Sequence, residues 1–155
     1  MAAAASISAS FAGYYAAEAG KYFALTNAAV TKAVKYEHQA DLQAREDEEL
    51  LIQATIAYHK NDTRIGDFLV GLVSDTAKKD MSIDKANTSY SLPTEYYDDV
   101  YSNYEISSME EHNYLDRAEQ SDEYSRLSII ATSILTAGIV IFSEFTRRKE
   151  SAGSD

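Results

Sequence analysis

The chain has 155 residues, 45% hydrophobic and 25% charged, with 25 acids against 14 bases and no cysteine. The missing cysteine excludes disulfides, thiol nucleophiles, zinc ribbons, iron–sulfur clusters and lipid attachment through sulfur. A net charge of -11 argues against nucleic-acid binding, and one Pro with six Gly favours long helices in a single domain.

Residues 1–17, MAAAASISASFAGYYAA, carry no charge. They lack the basic start of a signal peptide and the Arg of a transit peptide. Three readings stay open: a second membrane span pairing with 127–143, the remnant of a longer first span whose upstream residues are absent, or an Ala-rich helical start in water. The small residues suit close packing against another membrane helix.

An acidic helical body is expected over 18–126. Its first part, to about Lys60, is rich in Ala, Leu, Glu, Gln and Lys and reads as helix. Phe23, Asn27, Val30 and Val34 mark one stripe, and Leu50, Leu51, Ala54 and Tyr58 another. Glu37 to Glu49 is polar on nearly every side, so Glu46, Asp47, Glu48 and Glu49 are expected to meet water or cations. Asn61-Asp62-Thr63 reads as a stop and restart. A short amphipathic helix is predicted from about Arg64 to Lys79, burying Ile65, Phe68, Leu69, Leu72, Val73 and Thr76 or Ala77 on one face. Residues 80–106 carry loop signals, with Pro93 among them. Within them, Tyr97, Tyr101 and Tyr104 share a helical face and are candidate partner contacts; the same spacing also fits rings that cover a small core. Helix resumes at Ser107, with Ser107 or Ser108 as cap and Glu110 and Glu111 in the first turn.

From Leu127 to Ser143 no residue is charged: LSIIATSILTAGIVIFS. These 17 residues span roughly 26 Å as a helix, near the shorter limit for crossing a bilayer core. Leu127, Ile129, Ile130, Ile134, Leu135, Ile139, Val140, Ile141 and Phe142 place apolar groups on all sides, which requires full burial in lipid or protein. A membrane span over 127–145 is the reading, with a buried helix of a soluble bundle as the alternative. Arg147, Arg148 and Lys149 open the tail of residues 146–155 and place it in the cytoplasm by the positive-inside trend. The acidic body then lies outside the cytoplasm, which favours two spans.

Catalytic motifs are absent. His38, His59 and His112 have no Glu three residues before them, and no His-Glu-x-x-His, Gly-rich phosphate loop or nucleophile elbow occurs. No metal or cofactor is expected. The ten acids and one base of 94–123 read as a solvated face, with attraction of a basic partner as the other reading.

The layout resembles uncharacterised prokaryotic two-span helical membrane-protein families. The likeness runs through Tyr14-Tyr15-Ala16-Ala17, Ile56-Ala57-Tyr58 with Asn61-Asp62, Asp67-Phe68-Leu69, and Asp122-Glu123-Tyr124 leading into Leu127 to Phe142. It implies no activity and no site residues. The expectation is therefore an all-α protein: two long antiparallel helices, a short helical insert, and a C-terminal helix continuing into a membrane span. The function expected is that of a non-enzymatic membrane scaffold or assembly partner, in contact with lipid and with a protein partner or its own copies. The alternative is a soluble helical binding module with 127–143 as its core.

Overall fold

The computed structural model describes residues 2–84 and 89–152, with side chains over 3–81 and 90–148. The chain is all-α. Helix α1 runs Ala2–His59, α2 Thr63–Leu72, α3 Asp75–Asp80 and α4 Thr94–Ala152. Strands β1 (Ser82–Asp84) and β2 (Ser89–Ser91) form a small antiparallel ribbon before α4, pairing Ser82 with Ser91 and Asp84 with Ser89. The two long helices pack against each other.

Helix α1 ends through backbone geometry that Asn61 permits. Asn61 takes the left-handed conformation, φ 60°. Its N–H donates to the Tyr58 carbonyl and that of Asp62 to the Ala57 carbonyl, both at 2.9 Å. These two bonds close a Schellman motif, in which Asn is the usual substitute for Gly. Asp62 then caps α2, its side chain accepting from the Ile65 N–H at 3.2 Å. The stop and restart at 61–63 thus has a side-chain and a backbone component.

The single helix expected over 64–79 is two helices. Ser74 interrupts it: its hydroxyl accepts from the Ala77 N–H at 3.1 Å and caps α3. A Ser side chain that bonds the backbone ahead of it competes with helix continuation. The expected buried face is corrected in part, at Ile65, Phe68 and Leu72. Gly66, Val73 and Ala77 are buried, whereas Ile65, Phe68 and Leu72 are exposed. Helix α2 approaches α1 through the residue with no side chain, and Gly66 faces the Tyr58 ring.

Helix α4 begins at Thr94, directly after Pro93, and not at Ser107. Ser107 is a fully buried mid-helix residue. On α1, Phe23 and Val34 of the expected stripe are exposed. The covered face consists instead of Ala5, Ser8, Ala12, Tyr15, Ala19, Tyr22, Thr26, Ala29, Ala33, Tyr36 and Ala40, each buried or partly buried. Their spacing alternates three and four, the period of a coiled-coil seam. One row of that seam, every seventh residue, is Ala5, Ala12, Ala19, Thr26, Ala33, Ala40, Asp47 and Ala54. Small side chains let two helix axes come close.

The chain divides into two compact units. One combines 1–27 with 111–155; the other is 28–110. The core of the second holds Ala44, Leu51, Val73, Ala77 and Tyr96, with Leu50, Met81, Leu92 and Val100 packed against it.

Two glycines of α2 give opposite expectations. A Cβ at Gly66 would lie 2.6 Å from the Tyr58 ring, which is held by its stack on Tyr90 at 5.8 Å. Gly66→Ala is expected to destabilise by about 1–3 kcal/mol, the usual cost of overpacking. Gly71 faces open space. Gly71→Ala is expected to stabilise by roughly 0.5–1 kcal/mol through helix propensity. Urea unfolding of both variants checks the pair.

Candidate functional site

The first unit has an unusual distribution of polarity. Its two helices meet through small and polar residues: Ala19, Thr26, Ala118, Ser121 and Ser125 are buried. Two hydroxyls cross the seam. Ser8 Oγ donates to the Ser128 carbonyl at 2.9 Å, and Ser125 Oγ to the Ala12 carbonyl at 3.1 Å. The large apolar side chains point away. Leu127, Ile129, Ile130, Val140 and Phe142 are exposed, with Ile134 67% and Ile141 70% exposed. Leu135 and Ile139 are partly buried. Ile7 and Phe11 of α1 are exposed as well. Thr132 and Thr136 turn their hydroxyls back to the carbonyls of Ser128 and Thr132, four residues earlier, so α4 offers few free polar atoms here.

Within α4 lies one stretch long and apolar enough to cross a membrane, and none of it is buried in the chain. Exposing a Leu, Ile or Phe in place of burying it forgoes about 1.5–3 kcal/mol. A run this exposed therefore calls for a nonaqueous surrounding or a cover. Beyond it, Glu144 accepts from Arg147 at 3.1 Å and from Arg148 at 3.4 Å. The side chain of Lys149 and residues 153–155 lie outside the described residues.

The second unit is organised by carboxylates of α1. Asp47 is 2% exposed. It was expected to face water with Glu46, Glu48 and Glu49; the structure corrects this. Its Oδ1 accepts from the Ser74 N–H at 2.6 Å, and its Oδ2 from the Ser74 hydroxyl at 2.5 Å and the Tyr96 hydroxyl at 2.7 Å. One carboxylate thus ties α1 to the start of α3 and to the first turn of α4. Such a buried acceptor is tolerable because its lone pairs are used.

Tyr97 and Tyr101 repeat the pattern nearer the surface. Tyr97 donates to Glu48 at 2.6 Å, and Tyr101 donates to Asp41. Tyr104 is partly buried on the same face. The hydroxyls of Tyr97 and Tyr101 are thus engaged inside the chain. Tyr58 donates to Asp67 of α2 at 2.5 Å. The hydrogen bond to Glu48, with burial adding to it, pushes the Tyr97 pKa up to about 12. The bond to Asp41 raises that of Tyr101. Burial first, then a carboxylate partner, raises Tyr58 and Tyr96 further. In each case ionisation would place a phenolate beside a carboxylate.

Among the described residues no group of His, Asp and Glu is placed to hold a metal ion. His38, His59 and His112 are all exposed. An open groove between α1 and α2 is lined by Gln53, Ile56, Ala57, Ile65 and Leu69. With Phe68 and Leu72 it makes an exposed apolar face on this unit. No family model, curated protein or solved structure matches the chain.

Two measurements test this arrangement. Asp47→Ala leaves three donors without their acceptor and is expected to destabilise by roughly 2–4 kcal/mol. Glu46→Ala, at an exposed neighbour, is expected within about 0.5 kcal/mol of the parent. Thermal unfolding compares them. The second concerns alkaline pH. The four tyrosines have folded pKa values above the ordinary 10.0. Their stabilisation is full below pH 10.0, where folded and unfolded chains are both protonated, and falls as pH rises through the Tyr97 value of about 12. Tyrosinate absorbance is expected to lag a free-tyrosine curve and to rise together with unfolding.

Proposed function

We propose that this chain is a non-enzymatic integral membrane protein. Residues 1–17 and 127–145 enter the bilayer side by side, and the acidic body of 18–126, outside the cytoplasm, serves as a scaffold for an assembly partner. The observation that carries the reading is the inverted polarity of the first unit: small and hydroxyl-bearing residues face each other, and large apolar residues face out. Membrane helix pairs pack this way, because lipid is as apolar as Leu and association depends on close approach and interhelical hydrogen bonds. A soluble helix pair has the opposite arrangement.

The alternative, a soluble binding module with 127–143 as its core helix, requires those residues to be covered. Within the chain they have no cover. The C-terminal orientation rests on Arg147, Arg148 and Lys149. The exposed apolar face of α2, with Ile65, Phe68 and Leu72, supports an assembly role for the body, with a protein partner or a second copy.

The cysteine-free chain allows a direct test. Glu46→Cys lies in the body and Asp155→Cys in the tail. A membrane-impermeant thiol reagent added to intact cells is expected to label the first and spare the second. The reverse pattern would overturn the orientation. Recovery of the chain in the supernatant after an alkaline carbonate wash would overturn membrane integration.

A further inference from the structure

Two uncharged stretches, far apart in sequence, end within about two helical turns of each other on the helix pair. On α1 the first charge after the N-terminal run is Glu18; on α4 the last charge before the apolar run is Arg126. The register is fixed by the bonds from Ser8 to Ser128 and from Ser125 to Ala12, and by the Tyr15–Tyr124 ring contact at 5.3 Å. These pairs set Arg126 level with about residue 11 of α1 and Glu18 level with about residue 119 of α4, so the two charges stand roughly 10 Å apart along the axis, with Tyr15 and Tyr124 between them. Either boundary taken alone is a sequence feature. Their proximity is a property of the fold.

Aromatic rings gather at that height. Phe11 stacks on Tyr15 at 6.3 Å, Tyr14 meets Tyr15 edge-on at 5.3 Å, and Tyr15 reaches Tyr124. Tyr14 is 57% and Tyr124 45% exposed. A phenol has an apolar body and a polar tip, which suits the layer between hydrocarbon and water. Arg126 behaves in the same sense. Its stem leaves α4 beside Leu127, and its Nε reaches back 2.9 Å to Asp122, one turn toward the charged side. A long cationic side chain that bends this way keeps its charge out of hydrocarbon.

The distance to the other basic position agrees. From Arg126 to Arg147 the helix advances 21 residues, roughly 32 Å, against a hydrocarbon core of about 30 Å.

We infer that Tyr14, Tyr15, Tyr124 and Arg126 form a collar that lies in the glycerol–phosphate layer of a phospholipid bilayer and sets the depth of the helix pair. The inference rests on the membrane reading above. The phenol hydroxyls donate to ester and phosphate oxygens, and the outer N–H groups of Arg126 donate to phosphate. Glu18, Lys21 and Glu123 then face water, and Ile7, Leu127, Ile130 and Ile134 face the acyl chains.

The chain has no Trp, so a single Trp is a unique depth probe. Tyr14→Trp, Tyr124→Trp and Ile134→Trp are each placed in phosphatidylcholine vesicles brominated near the glycerol backbone or near the acyl-chain ends. Trp at 14 and at 124 is expected to lose more fluorescence to the shallow bromines, and Trp at 134 more to the deep ones. Quenching at 134 with none at 14 and 124, or with the deep order at those two, would overturn the collar and leave the membrane reading standing. No quenching at any of the three would overturn both.

Discussion

The seam between α1 and α4 is made of side chains too small to form a core by themselves. Seven residues apart along α1 stand Ala5, Ala12, Ala19, Thr26, Ala33, Ala40, Asp47 and Ala54. Ala and Ser remove the spacing that Leu would impose, so backbones approach and a hydroxyl can reach a carbonyl on the other helix, as Ser8 and Ser125 do. Such a seam buries little apolar area per residue, at about 25 cal/mol for each Å². Larger residues such as Tyr15, Tyr22, Leu135 and Ile139 turn only partly inward, while Ile134, Val140, Ile141 and Phe142 stay exposed.

In the second unit the seam needs help, and carboxylates supply it. Asp47 occupies a position of the Ala row and accepts three hydrogen bonds. Breaking the predicted helix at Ser74 is part of the same device, because the N–H and hydroxyl that Asp47 binds are the groups that start α3. Tyr96, Tyr97 and Tyr101 lie on the first turns of α4, and each donates a hydrogen bond to a carboxylate of α1. Phenol-to-carboxylate bonds are charge-assisted and stronger than neutral ones. They hold the helices where apolar contact alone is thin.

The all-α class, the two long helices and the stop at Asn61-Asp62 were legible in the sequence because they rest on local signals: few breakers, helix-forming composition and capping residues. The Ala spacing of the seam is present in the sequence but is a weak signal. A stripe of Phe23, Val30 and Val34 is the larger signal when large residues are assumed to face inward, and here Phe23 and Val34 face outward. The burial of Asp47 was hidden for a different reason. Its partners, Ser74 and Tyr96, lie 27 and 49 residues away, and nothing local distinguishes Asp47 from Glu46 or Glu48. The spacing of Tyr97 and Tyr101 puts them on one helical face, but the acids they meet, Glu48 and Asp41, lie on another helix, 49 and 60 residues away.

The chain exposes apolar surface in two places, and the two differ in kind. Around 127–143 the apolar groups occupy every side of the helix except the narrow Ser and Thr seam, with no charge for 17 residues. That geometry calls for a cover that reaches most sides of the helix, which lipid or protein can give. On α2 the apolar groups form one face only, and Asp62, Arg64 and Asp67 stand among them. Lipid would strip water from those charges at high cost, whereas a protein surface can cover Ile65, Phe68 and Leu72 and leave the charges wet at its rim. The same hydropathy thus carries two meanings, separated by whether charge interrupts the surface around it.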